Sequence, residues 1–502
     1  MTVTGVSGNT ALLLQSVLNV NKQLDTLQQQ LSSGQKSQTY GGLGGQSGVA
    51  VALNAQLAAL SSYDDTITNV GTSIGLQQQV LQQVAKAAST VQASAVQSST
   101  FAVDGTGQTT AQKSAQDELN QILSALNTQG GSGYLFSGNA VDQPSVDTAD
   151  HILNGNGAAA GLRQVVAERN QADLGSNGLG RLVIPAAAGA TVSVSEDVAG
   201  SPFGLKLAAV NSTLANAAVS GPSGSPPAIS VDLSGGNPNN GDTITYTFTL
   251  PDGTAQTLRL QATTSATPGT NQFSIGPTPA ATAANLQAAL TAGVSQIGST
   301  SLAAASAMAA ADNFFDDPPL RVSGTPATAT ALTAGTSADT VLWYTGNSAS
   351  GSIRSSATAR IDPTTTVSYG TQANEQGIRW LVQNVAALAA TSYSPTDPNA
   401  ATSYNALTQR VYAALSVPSG VQNINEIEAS LANAQNAMST AQDQHAQTST
   451  ALTNMLQSIE GVDTTEVGVK ILSLQTILSA SLSTTARLSQ INLLAYLSPV
   501  SG

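Results

Sequence analysis

The sequence predicts an α+β protein: a long antiparallel coiled-coil helical shaft formed by both ends of the chain, with a β-rich α/β domain inserted in the middle. Three observations carry this reading. Ile424, Ile427, Leu431, Ala434, Met438, Ala441, His445, Thr448, Leu452, Met455 and Ile459 follow one another at spacings of three and four without a break. That is a heptad seam, and at about 1.5 Å per residue it makes a helix of roughly 54 Å that needs another helix along its whole length. Leu13, Val17, Val20, Leu24, Leu27 and Leu31 repeat the design near the N-terminus. Between the ends, residues 141–373 turn to Pro, Gly and Thr with period-two alternation, the pattern of strands.

The first arm, residues 1–45, is expected to pair with residues 465–502, and its seam is the six residues from Leu13 to Leu31. A Gly- and Ser-rich stretch, residues 33–48, then interrupts the helical pattern and reads as a hinge. The N-terminal half of the shaft, residues 46–140, opens with Leu53, Leu57, Leu60, Asp64 and Ile67. After a slip of one residue, Val70, Ile74, Gln77, Leu81, Val84, Ala88, Val91 and Ala95 resume the spacing, the pattern of a stammer. A third helix, residues 111–127, stops at Gly130 and Gly131.

In the insertion, Ile244, Tyr246, Phe248 and Leu250 alternate on one face, Pro251-Asp252-Gly253 supplies the turn, and Leu258 and Leu260 follow. This predicts a hairpin within an α/β module at about 242–322. Further strands are expected at 181–184, 191–194, 228–233 and around Phe273 and Ile275, with helices at 283–294 and 302–313. Helical spacing returns at Ile378, Leu381, Val385 and Leu388, then at 407–415. The C-terminal half of the shaft, residues 374–464, carries the seam Ile424, Ile427, Leu431, Met438, Leu452, Met455 and Ile459. Asp463, with Glu466 three residues on, is a predicted N-cap. It opens the second arm, whose seam is Val467, Ile471, Leu474, Leu478, Leu482, Leu488 and Ile491.

Composition narrows the partners. The chain has 502 residues and a net charge of −13, which repels phosphate backbones and anionic lipid; nucleic acid and membrane are not expected partners. Charged residues are only 9%, against about a quarter in ordinary soluble domains. Cysteine is absent, which removes disulfides and thiolate chemistry and suits a chain that passes from a reducing to an oxidising compartment. The first residues predict no cleaved secretory leader, and no stretch is expected to reach the length of a membrane span.

No catalytic, cofactor or metal residue is expected. The two histidines, His151 and His445, cannot furnish a triad or a multi-His site; His445, on the seam, reads as a neutral imidazole bonded to a carbonyl. Asp64 and Asp65 diverge by about 100° on a helix, so they form no dyad, and Asp64 is read as a polar register mark facing an Arg of another helix. Asp316-Asp317-Pro318-Pro319 is a turn. The glycines of 41–48 follow a helix and lack a Lys-Ser or Lys-Thr, which makes them a linker and not a phosphate cradle. Residues 237–242 hold too few acids for a calcium loop.

Four segments resemble the bacterial flagellin family, which includes the hook-filament junction proteins of the hook-associated group: LQQQLSSGQK at 27–36, GYLFSG at 133–138, YGTQANEQGIR at 369–379 and LSQINLLAYL at 488–497. Residues 243–315 are similar to an insertion module of some flagellins. Filament flagellins carry a motif like SAKDDAAG where this chain has SQTYGGLGGQSG at 37–48, and this departure is closer to the junction proteins; the large insertion is closer to a filament subunit. The resemblance implies an extracellular structural subunit of the flagellum, exported unfolded by the type III apparatus with an export chaperone. It also implies polymerisation with copies of itself and with other flagellar axial proteins. A secreted coiled-coil adhesin or fibre, or a surface enzyme with its site in 141–373, are the alternative classes.

Overall fold

The fold is given by a computed structural model, which describes residues 4–97, 101–131, 133–347 and 351–497. The helices in chain order are α1 (Thr4–Ser33), α2 (Ser47–Gln97), α3 (Thr110–Leu126), α4 (Ala149–Asn154), α5 (Leu162–Leu174) and α6 (Pro279–Ile297). They continue with α7 (Ala303–Phe314), α8 (Gln376–Ala390), α9 (Ala400–Leu415), α10 (Ile424–Glu460) and α11 (Thr464–Leu497). The strands are β1 (Gln129–Gly130), β2 (Gly133–Tyr134), β3 (Leu182–Val183), β4 (Thr191–Glu196), β5 (Lys206–Ser212), β6 (Ala218–Ser223) and β7 (Ala228–Asp232). β8 (Thr243–Thr249), β9 (Ala255–Thr263), β10 (Gln272–Ser274), β11 (Leu320–Val322), β12 (Leu332–Ala334), β13 (Thr358–Arg360) and β14 (Thr366–Ser368) complete the α+β architecture.

The chain divides into two compact units. The first holds Met1–Thr68, Arg360–Thr366 and Asn436–Gly502. Its arms, α1 and α11, pack on each other through Leu24, Val467 and Ile471, with Leu27, Leu474 and Leu478 at the margin. Gly34 ends α1 with φ +69, a left-handed conformation that a side chain would strain, and the chain then bridges antiparallel from Gln35 to Gly461. Asp463 caps α11 as the sequence predicts, its Oδ1 accepting from Thr465 N at 2.8 Å and Glu466 N at 3.2 Å.

The second unit holds Asn69–Ala359 and Val367–Gln435. Two four-stranded sheets, in the orders β3-β4-β7-β6 and β10-β9-β8-β5, share one core with α6. Val192, Ile229, Tyr246, Phe248, Leu260, Leu286, Leu290 and Val294 all lie in it, and each such side chain contributes about 1.5–3 kcal/mol of burial. In the expected hairpin Ile244 faces Leu260 and Tyr246 faces Leu258. Its turn closes through Gly253, at φ +80. The core reaches back to Leu182, so the module begins well before 242. β5 had no signal in the sequence because a bulge between Leu207 and Ala209 breaks its alternation.

The remaining helices of this unit surround α8, whose residues Gly377, Ile378 and 381–390 are all buried against α3, α5, α7 and α9. α5 was not legible because its buried face includes Arg169 and Asp173. Arg169 Nε donates to Asp173 at 2.8 Å, and its other nitrogens donate to Asn313 Oδ1 and Pro202 O. Burial raises the Asp173 carboxyl above its ordinary range against the opposing pull of Arg169, yet each partner is satisfied. In α2, Ile67 and Val70 are buried three apart, and the helix continues through Gly71 and Gly75.

Candidate assembly surface

α1 and α11 carry apolar residues all round, because one face closes the pair and others remain open. Of the first arm's seam, Leu24 is buried, Leu13, Val17, Val20 and Leu27 are half-buried, and Leu31 is exposed. On α11, Val467 and Ile471 are buried and Leu474 and Leu478 half-buried. The stripe then passes through Ser481 and Thr485, leaving Leu482 exposed. Leu488 and Ile491 lie outside the described residues, since their side chains are not described.

Away from this pairing, Leu12 is 67%, Leu14 64%, Val469 63% and Leu472 65% exposed. Leu18 and Ile477 extend the same open faces. Soluble monomers seldom leave so many large apolar side chains open along one pair of helices unless another surface covers them. A groove of about 500 Å³ runs between the arms, lined by Lys22, Leu27, Gln30, Lys470 and Leu474. Contrary to the expectation from sequence, Thr464–Arg487 is long and apolar enough to cross a membrane.

Polar contacts fix the base of the arms. Lys36 N donates to Glu460 O and Val462 N to Gly34 O. The Lys36 ammonium donates to Ser458 O at 3.1 Å and Ile459 O at 2.8 Å, placing a cation on the C-terminal carbonyls of α10. Sequence reading missed Lys36, although a lysine facing the open end of a long helix is the available signal.

The shaft seam is mostly closed within the chain. Leu53, Ile424, Ile427, Leu431, Met438 and Leu452 are buried and Leu57, Leu60 and Ile459 half-buried. Met455, however, is 54% exposed, and Leu456 takes the half-buried place in that turn: the stripe steps four and then three after Leu452, which turns Met455 outward. Asp64 meets no Arg. Its Oδ1 lies 2.7 Å from Nδ1 of His445, so that imidazole is bonded to a carboxylate and not to a carbonyl. His151 likewise lies 2.9 Å from Asp147. No group of three or more metal-ligating side chains occurs among the described residues, and Asp242, in the calcium-like stretch, accepts from Asn239 N and Ala215 N.

Two of the quoted motifs pair with each other. GYLFSG forms β2 and the chain after it, where Ser137 bridges Gln372 and Phe136 O accepts from Ala373 N. Thr371 Oγ1 donates to Leu135 O at 2.9 Å. Glu375, the acid of YGTQANEQGIR, is held by Arg354 and by Gln422 Nε2 at 3.0 Å; burial raises its carboxyl, opposed by Arg354. A Cβ at Gly138, where φ is +66, would come within 2.4 Å of Asn347 O, which explains the glycine. These residues knit the strands entering the insertion to those leaving it.

Residues 7–141 match the bacterial flagellin N-terminal helical region and residues 416–497 the bacterial flagellin C-terminal helical region. No curated protein matches the chain. The first match spans α1, α2, α3 and GYLFSG, the second α10 and α11. With a sheet-bearing insertion between them, the two ends of this one polypeptide carry both terminal helical regions of the bacterial flagellin family.

Proposed function

We propose that this chain is a subunit of the extracellular flagellar filament that polymerises by burying the open faces of α1 and α11 against neighbouring copies. The observation that carries the reading is the set of exposed leucines, Leu12, Leu14, Leu18 and Leu472, on both sides of an arm–arm seam already closed by Leu24, Val467 and Ile471. Arms with so thin a shared core offset little of the entropy of ordering, so they gain most of their stability from neighbours. Such arms suit export as an unfolded chain with a dedicated chaperone. The absence of cysteine suits passage between redox compartments. Other flagellar axial proteins would meet the same faces at the ends of the polymer.

The test is electron microscopy and sedimentation of the purified, concentrated protein beside variants lacking residues 1–35 or 465–502. Tubes from the full chain and none from either truncation support the reading. Tubes of normal diameter from a truncated chain overturn it. Immunogold labelling of flagella then separates the bulk filament, labelled along its length, from the junction, labelled only at the base.

A further inference from the structure

A cleft of about 820 Å³ opens in the second unit between the turn of the β8–β9 hairpin, the end of α7, and the faces of α8 and α9. Its size is that of sites that hold extended small ligands. α8 supplies one wall with Trp380, Gln383 and Asn384, which share a helix face. Trp380 Nε1 donates to Ala414 O at 2.8 Å, which pins the half-exposed indole ring.

Gln383 and Asn384 are 4% and 2% exposed. Their amide nitrogens are used, Gln383 on Asp312 Oδ1 at 3.3 Å and Asn384 on Trp380 O at 2.6 Å. Neither amide oxygen accepts a hydrogen bond from a described residue, and both remain reachable by water, and so by a ligand in the cleft. Asp312 adds an exposed carboxylate that no described cation pairs. On the opposite rim Arg410 is committed to Asp252 at 2.7 Å and to Thr254 Oγ1 at 3.3 Å. The cleft therefore offers open acceptors on Gln383, Asn384 and Asp312, amide donors on Asn313 and Gln409, and an aromatic ring on its wall.

We propose that this cleft binds a neutral oligosaccharide, with one sugar ring stacked on Trp380 and hydroxyls donating to Gln383, Asn384 and Asp312. A sugar ring offers an apolar C–H face for the indole and several O–H donors at its edge, the complement of this lining. Two of the three acceptors are neutral amides, which favours a hydroxylated ligand over an ammonium one.

The full-length depolymerised protein would be titrated with chitotetraose, cellotetraose and maltotetraose. Trp380 fluorescence is read in a Trp343→Phe background, and calorimetry on the unmodified chain guards against effects of that change. One tetrasaccharide should give a saturable signal at a Kd below about 10 mM, weakened roughly tenfold or more by Trp380→Ala and by Asp312→Asn. Asp312 is exposed, so its variant folds. No saturable binding of any of the three, or equal affinity in both variants, overturns the proposal. So does binding that only spermidine reproduces and that salt abolishes, which would make the ligand an ammonium.

Discussion

Nδ1 of His445 lies 2.7 Å from Oδ1 of Asp64, joining α10 to α2, in a side chain that is only 3% exposed. Asp362, at the tip of the β13–β14 hairpin, brings a second carboxylate oxygen within 3.7 Å of Nε2, and the Tyr63 ring lies 6.0 Å away. One imidazole thus gathers three separate segments of the first unit. Removing Asp64 leaves a buried ring nitrogen unpaired, so Asp64→Ala should cost about 1–3 kcal/mol in urea unfolding of the monomer. The double variant His445→Leu, Asp64→Leu should recover most of that loss, because an apolar pair carries no desolvation penalty. Additive losses would show that the contact is incidental.

The open and closed faces of the arms should respond differently to one added charge. Leu472→Asp and Leu12→Asp change exposed positions, so monomer stability should stay within about 0.5 kcal/mol while polymer no longer sediments. Leu24→Asp instead buries a carboxylate between Val467 and Ile471 and should cost several kcal/mol in the monomer as well, on the order of 2–5. Polymerisation by Leu472→Asp at the normal critical concentration would exclude that face from the contact.

Acid should loosen α11 through its cap. The backbone N–H groups of Glu466 and Thr465 hold the Asp463 carboxyl below its ordinary 3.8. Asp362 is lowered too, by Thr364 and then His445. A carboxylate depressed in the folded state adds stability above its unfolded value and loses it as pH falls through the folded one. The window for both therefore opens below 3.8. Far-ultraviolet dichroism of the monomer should lose helix as pH falls from about 4 to 2, with a smaller acid-dependent drop in Asp463→Ala, which starts lower at neutral pH. Parallel titration curves would remove the cap from the account.

Periodicity made the arms, the shaft and the β8–β9 hairpin legible in the sequence because each buries one face at a fixed repeat. Partners across the fold were not legible. Asp64 could be placed on a seam, but only the fold brings His445 and Asp362 to it. α5 hid because Arg169 and Asp173 occupy core positions, where charge masks an apolar stripe. Met455 was misplaced because two phases of the heptad compete after Leu452, and the packed one runs through Leu456. The cleft beside Trp380 draws on four distant segments, which no local pattern could join.

The insertion is separable only along the boundary that its core draws. Residues 144–368 look removable from sequence, but α8 is buried against α5 and α7 as well as α3 and α9, so excising that whole range would strip an apolar helix. The two-sheet module leaves and re-enters at one place: a Cβ on Gly298 would lie 3.1 Å from Leu174 Cδ1 and 3.3 Å from Gly178 O. Replacing residues 178–297 by a short Gly-Ser linker therefore asks little of the chain, since closure entropy grows only logarithmically with length. The shortened protein should fold and form a thinner polymer in electron micrographs, and the excised segment should melt cooperatively in calorimetry, because most of its core, with Tyr246, Phe248, Leu286 and Leu290, lies inside it and Leu302 and Ala305 are the part left behind. Replacement of residues 144–368 should instead give an aggregating product. If the shorter excision aggregates equally, the module is part of the second unit's folding core, and the contacts of Arg169 with Pro202 and of Arg410 with Asp252 hold more than orientation.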